Sequence, residues 1–115
     1  MYTFEDFMNL CDLDFSYTIT YKLKNSFIVE FFNNPIIKLD YNYDAFELNI
    51  IGLYYEYIEK DYYLMKKYYL MSIEKNNHDS MMFLGLYYML TDKDYKQMKK
   101  YYMMAIDKGT NKITF

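Results

Sequence analysis

The sequence predicts an all-α chain, a stack of two helix-turn-helix repeats behind an N-terminal cap, and three observations carry that expectation. Residues 45–77 laid over residues 78–110, a shift of 33, match at 15 of 33 positions without a gap. Self-similarity at such a period marks a stacked repeat architecture. Apolar residues inside each unit recur at i, i+3, i+4 and i+7, the signature of one helix face. Only 3 Gly and 1 Pro occur in 115 residues, too few for the many tight turns of a sandwich or barrel. With 53 % hydrophobic residues, one domain of this length can bury a real core.

Residues 1–44 lie outside the repeat register and are assigned to the cap. Thr3 and Asp6 have the spacing to cap a short helix from Phe4 to Cys11. Tyr17, Ile19, Tyr21 and Leu23 alternate with polar residues, as a strand would. Ile19, Leu23, Phe27 and Phe31 also recur every fourth residue, as a helix would. Helix suits a cap better, and a hairpin over residues 16–34 is the alternative. Asn33-Asn34-Pro35 ends that element, because proline disfavours helix in the residue before it. Pro35 to Tyr43 reads as an extended crossing.

The two units, 45–77 and 78–110, each read as two helices. Leu48, Ile51, Gly52 and Tyr55 form the inward stripe of the first helix, and Met81, Leu84, Gly85 and Tyr88 fill the same slots in the second unit. Asp44 with Glu47 three residues on has capping-box spacing. Asp61 and Asp94 are N-cap candidates for the return helices, since a carboxylate accepts the orphan N–H groups of a first turn, and Gln97 is placed to complete a box with Asp94. The stripes Tyr62, Met65, Tyr69, Ser72 and Tyr95, Met98, Tyr102, Ala105 are expected to face inward. Lys75 and Lys108 fall in last turns, with Asn76 and Gly109 as left-handed stops. Glycine inside a helix costs about 1 kcal/mol, so Gly52 and Gly85 at equivalent positions imply close helix approach. Residues 111–115 form a tail. A third unit would begin at Asn111, so Met98, Tyr102, Met103 and Met104 on the last helix are expected to lack a cover.

These residues resemble a known family. Leu84-Gly85-x-x-Tyr88, Asp94-Tyr95, Tyr101-Tyr102, Ala105 and Gly109 look like the Sel-one type of tetratricopeptide-like repeat. Ile51-Gly52-x-x-Tyr55, Asp61-Tyr62, Tyr68-Tyr69 and Asn76 follow the pattern less closely. Glu47, Met65 and Met98 replace small residues of the family, and the loop inside each unit is short and lacks glycine. The resemblance implies a short right-handed solenoid acting as a protein-interaction scaffold, without catalysis.

The remaining chemistry points the same way. Asp12 and Asp14 near Asp40 and Asp44 lack the glycine and terminal glutamate of a calcium loop. His78 and Cys11 are the sole histidine and cysteine, too few for a zinc site or an activated thiol. No cofactor and no metal are expected. One cysteine and a start, MYTFEDFMNL, without a basic segment suit a reducing, intracellular setting. The longest uncharged apolar run, Met81 to Leu90, is half of what a bilayer span needs, so no membrane partner is expected.

Nucleic acid is disfavoured as well. The net charge is -3 and all 13 cations are lysine, while phosphate readers lean on a basic balance and arginine. Lys66-Lys67-Tyr68-Tyr69 and Lys99-Lys100-Tyr101-Tyr102 mix bases with aromatics, but helical geometry lets the tyrosines turn inward and Lys67 and Lys100 outward. More informative is the other side of each first helix. Phe46, Asn49, Leu53, Glu56 and Tyr57 line it in the first unit, and Asp79, Met82, Leu86, Met89 and Leu90 in the second. A helix apolar all round is normally buried, so either residues 1–44 cover this side or it takes a partner. The expected partner is a protein or peptide held by Phe46, Leu53, Tyr57, Met82, Leu86, Met89 and Leu90, with a second copy of the chain as the alternative.

Overall fold

The computed structural model describes residues 26–107, and these form helices with no strand among them. In order they are α1 (Ser26–Asn33), α2 (Ala45–Tyr54), a π-helical turn (Tyr55–Glu59), α3 (Tyr62–Glu74), α4 (His78–Leu90) and α5 (Tyr95–Asp107). The all-α expectation is met over this span. The helix expected at Phe4 to Cys11, the ambiguous residues 16–25, Lys108, Gly109 and the tail 111–115 lie outside the described residues. Within 26–34 the helical reading holds, and α1 stops at Asn33 ahead of Asn34-Pro35.

Helix starts follow the capping chemistry. Asp44 Oδ1 accepts the Glu47 N–H at 2.8 Å while Glu47 Oε1 accepts the Asp44 N–H at 2.9 Å, a complete capping box on α2. Asp61 Oδ1 accepts the Leu64 N–H at 3.1 Å, and Asp94 Oδ1 accepts the Gln97 N–H at 3.2 Å. Asn77 Oδ1 accepts the Ser80 N–H at 2.9 Å and caps α4. Asn76 is left-handed at φ 64°, as a helix stop requires. Asp61→Ala is expected to destabilise the chain by about 1 kcal/mol, a drop of roughly 4 °C in melting temperature. Circular dichroism melts check it.

α2 pairs with α3 and α4 with α5, each across a short turn; α3 then lies on α4, and α1 packs on α2. Leu48, Ile51, Met65, Tyr69, Met81 and Leu84 are at most 1 % exposed at the centre of this stack. Gly52 lets the Tyr69 ring come so close that a Cβ there would sit 2.5 Å from Cδ1, and a Cβ on Gly85 would meet the Tyr102 ring at 2.9 Å. The expected close approach is therefore present in both hairpins. Ser80 donates its hydroxyl to Asn49 Oδ1 at 2.6 Å, which joins α4 to α2, and Ser72 donates to the Ala45 carbonyl at 2.6 Å.

Contacts recur at the same spacing of 33. Tyr55 stacks on Tyr68 at 5.7 Å and 13°, and Tyr88 on Tyr101 at 5.9 Å and 7°. Tyr54 donates to Glu59 at 2.7 Å, and Tyr87 to Asp92 at 2.9 Å. The Asp61 N–H reaches the Tyr55 carbonyl at 2.9 Å, and the Asp94 N–H reaches that of Tyr88 at 2.8 Å. Lys60 and Lys93 both turn left-handed, at φ 54° and 53°, in place of the missing glycines. Between the hairpins, Lys66 pairs with Asp92 at 3.3 Å, and Tyr69 stacks on Phe83 at 6.2 Å.

Tyr62 and Tyr95 correct the expected inward stripes. They are the first residues of α3 and α5 and remain 38 % and 59 % exposed. Among the described rings Tyr62 meets only that of Tyr87, at 5.4 Å, and so is covered on one side. Tyr68 and Tyr101, stacked on Tyr55 and Tyr88, are buried instead.

Candidate functional site

The proposed contact residues divide between the two hairpins. On α2, Leu53 is fully buried, so it is withdrawn from any docking surface. The physical reason is position: α2 lies between α1 and α3, and its residues Leu48–Tyr54 are buried all round. Phe31 and Phe32 of α1 close one side by packing on Tyr54 at 5.2 and 5.8 Å. Residues within 1–44 thus cover this part of the expected groove. Phe46 and Tyr57 are half-buried and pack against the core.

On α4 the same side stays within reach of solvent. Met82, Leu86 and Met89 are half-buried, and Leu90 is 67 % exposed. They follow one another at i, i+4, i+7 and i+8, which places them along one stripe. The opposite stripe, Met81, Leu84 and Gly85, is buried. The side chains on the open stripe are flexible or unbranched at Cβ, which suits a surface that adapts to what it meets.

In the first hairpin, Glu56 in the π-helical turn accepts the Tyr69 hydroxyl at 2.7 Å. Burial pushes its carboxyl up to about 7, against the smaller lowering effect of that hydrogen bond. A carboxyl so placed is half-charged near neutrality, and such groups cluster at functional sites. Sequence spacing assigned Glu56 to this side of the helix. It could not show the burial, because that depends on the packing of α3, whose Tyr69 hydroxyl reaches the carboxylate.

The lysine-tyrosine segments fold as their helical spacing implies. Lys67 and Lys100 are exposed, with Nζ atoms 5.4 and 5.2 Å from the ring centres of Tyr68 and Tyr101. Those rings are 8 % and 7 % exposed and already stacked on Tyr55 and Tyr88. Nucleic-acid bases need open aromatic faces, and these faces are taken. Burial also raises the Tyr55 and Tyr88 hydroxyls, so both stay protonated at neutral pH.

A cleft of about 490 Å³ opens between α1 and the crossing 34–43, lined by Phe27, Phe31, Ile36, Tyr41 and Tyr43 with Glu30 and Lys38 at its edge. It brings together none of the proposed contact residues. Among the described residues no group of His, Cys, Asp or Glu could hold a metal ion. His78 opens α4 in a half-buried position, and Cys11, Asp12 and Asp14 lie outside the described residues. No described helix is long and apolar enough to cross a membrane. Comparison with protein-family models, curated proteins and solved structures finds no match to this chain.

Proposed function

We propose that the chain is a non-catalytic interaction module, a short right-handed solenoid of two Sel-one-like helix pairs that binds a protein or peptide in a reducing, intracellular setting. The recurrence of stacks, caps and left-handed turns at one spacing supports the repeat reading. A single observation carries the binding reading. α4 is apolar around its circumference, yet its Met82, Leu86, Met89 and Leu90 stripe reaches solvent, with Leu90 67 % exposed. Contiguous apolar surface of this kind marks interaction sites. Phe46 and Tyr57 extend the surface on the first hairpin.

Nile red, a neutral apolar dye, tests the face directly. The folded chain is expected to enhance its fluorescence, and Leu86→Ser with Leu90→Ser to cut that enhancement severalfold while the helical signal persists. A folded chain that leaves the dye dark, or a signal indifferent to both substitutions, would remove the proposed site.

A further inference from the structure

The cleft between α1 and the crossing 34–43 has walls of joined aromatic rings. Phe31 stacks on Phe27 at 5.8 Å and 14°, Phe27 meets Tyr43 edge-on at 5.9 Å and 73°, and Tyr43 lies 4.5 Å from Tyr41. Stacked and edge-to-face rings hold one another in place. The two tyrosine hydroxyls are already engaged with the protein. That of Tyr43 accepts the Lys38 N–H at 2.9 Å, and that of Tyr41 donates to Glu47 Oε2 at 3.1 Å. The rings therefore offer the cleft carbon rather than unmet hydroxyls. The crossing is also fixed by its own backbone, through the Ile36 N–H to the Asn34 carbonyl at 2.7 Å and the Tyr41 N–H to the Lys38 carbonyl at 3.2 Å. A volume of about 490 Å³ falls in the range of small-molecule sites, whose apolar walls carry a few polar groups that orient the ligand.

Two such groups are present. Glu30 and Lys38 line this cleft from exposed positions. Neither is paired with the other or with any other charge among the described residues. A lone anion entering here would be drawn by Lys38 and opposed by Glu30, and a lone cation the reverse. A molecule carrying both charges gains from both. Ring faces add an attraction for an ammonium group. An aromatic body fits the walls, since ring pairs gain beyond the burial of their area.

We propose that this cleft binds a small aromatic zwitterion, the class to which free aromatic amino acids belong. The ligand ring lies against Phe27, Phe31 and Tyr43, its ammonium is met by Glu30 and its carboxylate by Lys38. The cleft shares no residue with the α4 stripe, so this site is additional to the proposed binding face and does not depend on it.

The chain contains no tryptophan, so tryptophan added as a ligand reports through its own fluorescence. Its anisotropy is expected to rise on titration with the full 14.3 kDa chain at low ionic strength. L-Tryptophan should bind roughly fivefold more tightly than tryptamine, which lacks the carboxylate, and than indole-3-propionate, which lacks the ammonium; that factor is what one solvent-exposed ion pair supplies. Glu30→Gln should abolish the preference over indole-3-propionate, and Lys38→Gln the preference over tryptamine. Both substitutions are at exposed positions, and circular dichroism verifies that the helices persist.

No rise in anisotropy for any of the three ligands would overturn the proposal. Equal affinity for all three, unmoved by either substitution, would reduce the cleft to an apolar patch and sink it too. A rise abolished by Leu86→Ser with Leu90→Ser would place the ligand on α4, contrary to the proposal. A chain that leaves Nile red dark but still prefers L-tryptophan would uphold the cleft and remove only the α4 face, so the two readings fail separately.

Discussion

Gly52→Val is expected to lower the unfolding free energy by about 3 kcal/mol, at the top of the range for overpacking a well-filled core. For a chain of this size that is roughly 12 °C in melting temperature. A Cβ at Gly52 would lie 2.5 and 2.6 Å from Cδ1 and Cε1 of Tyr69. The ring cannot swing aside, because it is fully buried, stacked on Phe83 and tied by its hydroxyl to Glu56. Gly52→Ala should cost less, about 1–2 kcal/mol, since alanine recovers about 1 kcal/mol of helix propensity. Gly85→Val should also destabilise, but by less than Gly52→Val. A Cβ at Gly85 would sit 2.9 Å from the Tyr102 ring, a milder overlap than the 2.5 Å at Gly52. Thermal melts of the three variants give the order. A double-mutant cycle of Gly52→Ala with Tyr69→Ala should show coupling, because the clash disappears with the ring. Additive costs, or melts unchanged by valine, would show that the helices are not in close contact there.

The second large effect concerns acidity. The Glu56 carboxyl is raised from 4.5 to about 7 by burial, so between those values the folded chain holds a proton that the unfolded chain has released. Stability from this group is therefore fully present below pH 4.5, declines through the interval and is lost above pH 7. The loss amounts to about 2 kcal/mol once residual solvent access is allowed for. Glu56→Gln removes the charge and keeps an oxygen to accept the Tyr69 hydroxyl. It is expected to raise stability at pH 8 by about 2 kcal/mol and to change it little at pH 5. Urea unfolding at the two pH values measures this, and an equal effect at both would mean that Glu56 is charged in the fold throughout.

Local chemistry was legible in the amino-acid order wherever one or two turns of chain decide it. Asp44, Asp61 and Asp94 cap the helices they precede, because a carboxylate three residues ahead of an amide reaches it whatever the rest of the chain does. Asn76 turns left-handed where a helix must stop. Gly52 and Gly85 mark close contacts because nothing else repays their cost in a helix. Other features were hidden. Lys60 and Lys93 make left-handed turns with a residue type that does not announce them. Tyr62 and Tyr95 share the period of the core but are the first residues of their helices and stay exposed.

The order of residues was enough to establish the helices of the described span from residue 45 to 107 and their capping residues, since those follow from periodicity and short-range hydrogen bonding. Which apolar side chains remain open was decided by packing. Leu53 and Leu86 occupy equivalent places 33 residues apart. Leu53 lies on α2, which has α1 against it, and is sealed, whereas Leu86 on α4 stays half open. Periodicity records which way a side chain points from its own helix. Only the approach of another helix, distant in sequence, determines whether water still reaches it.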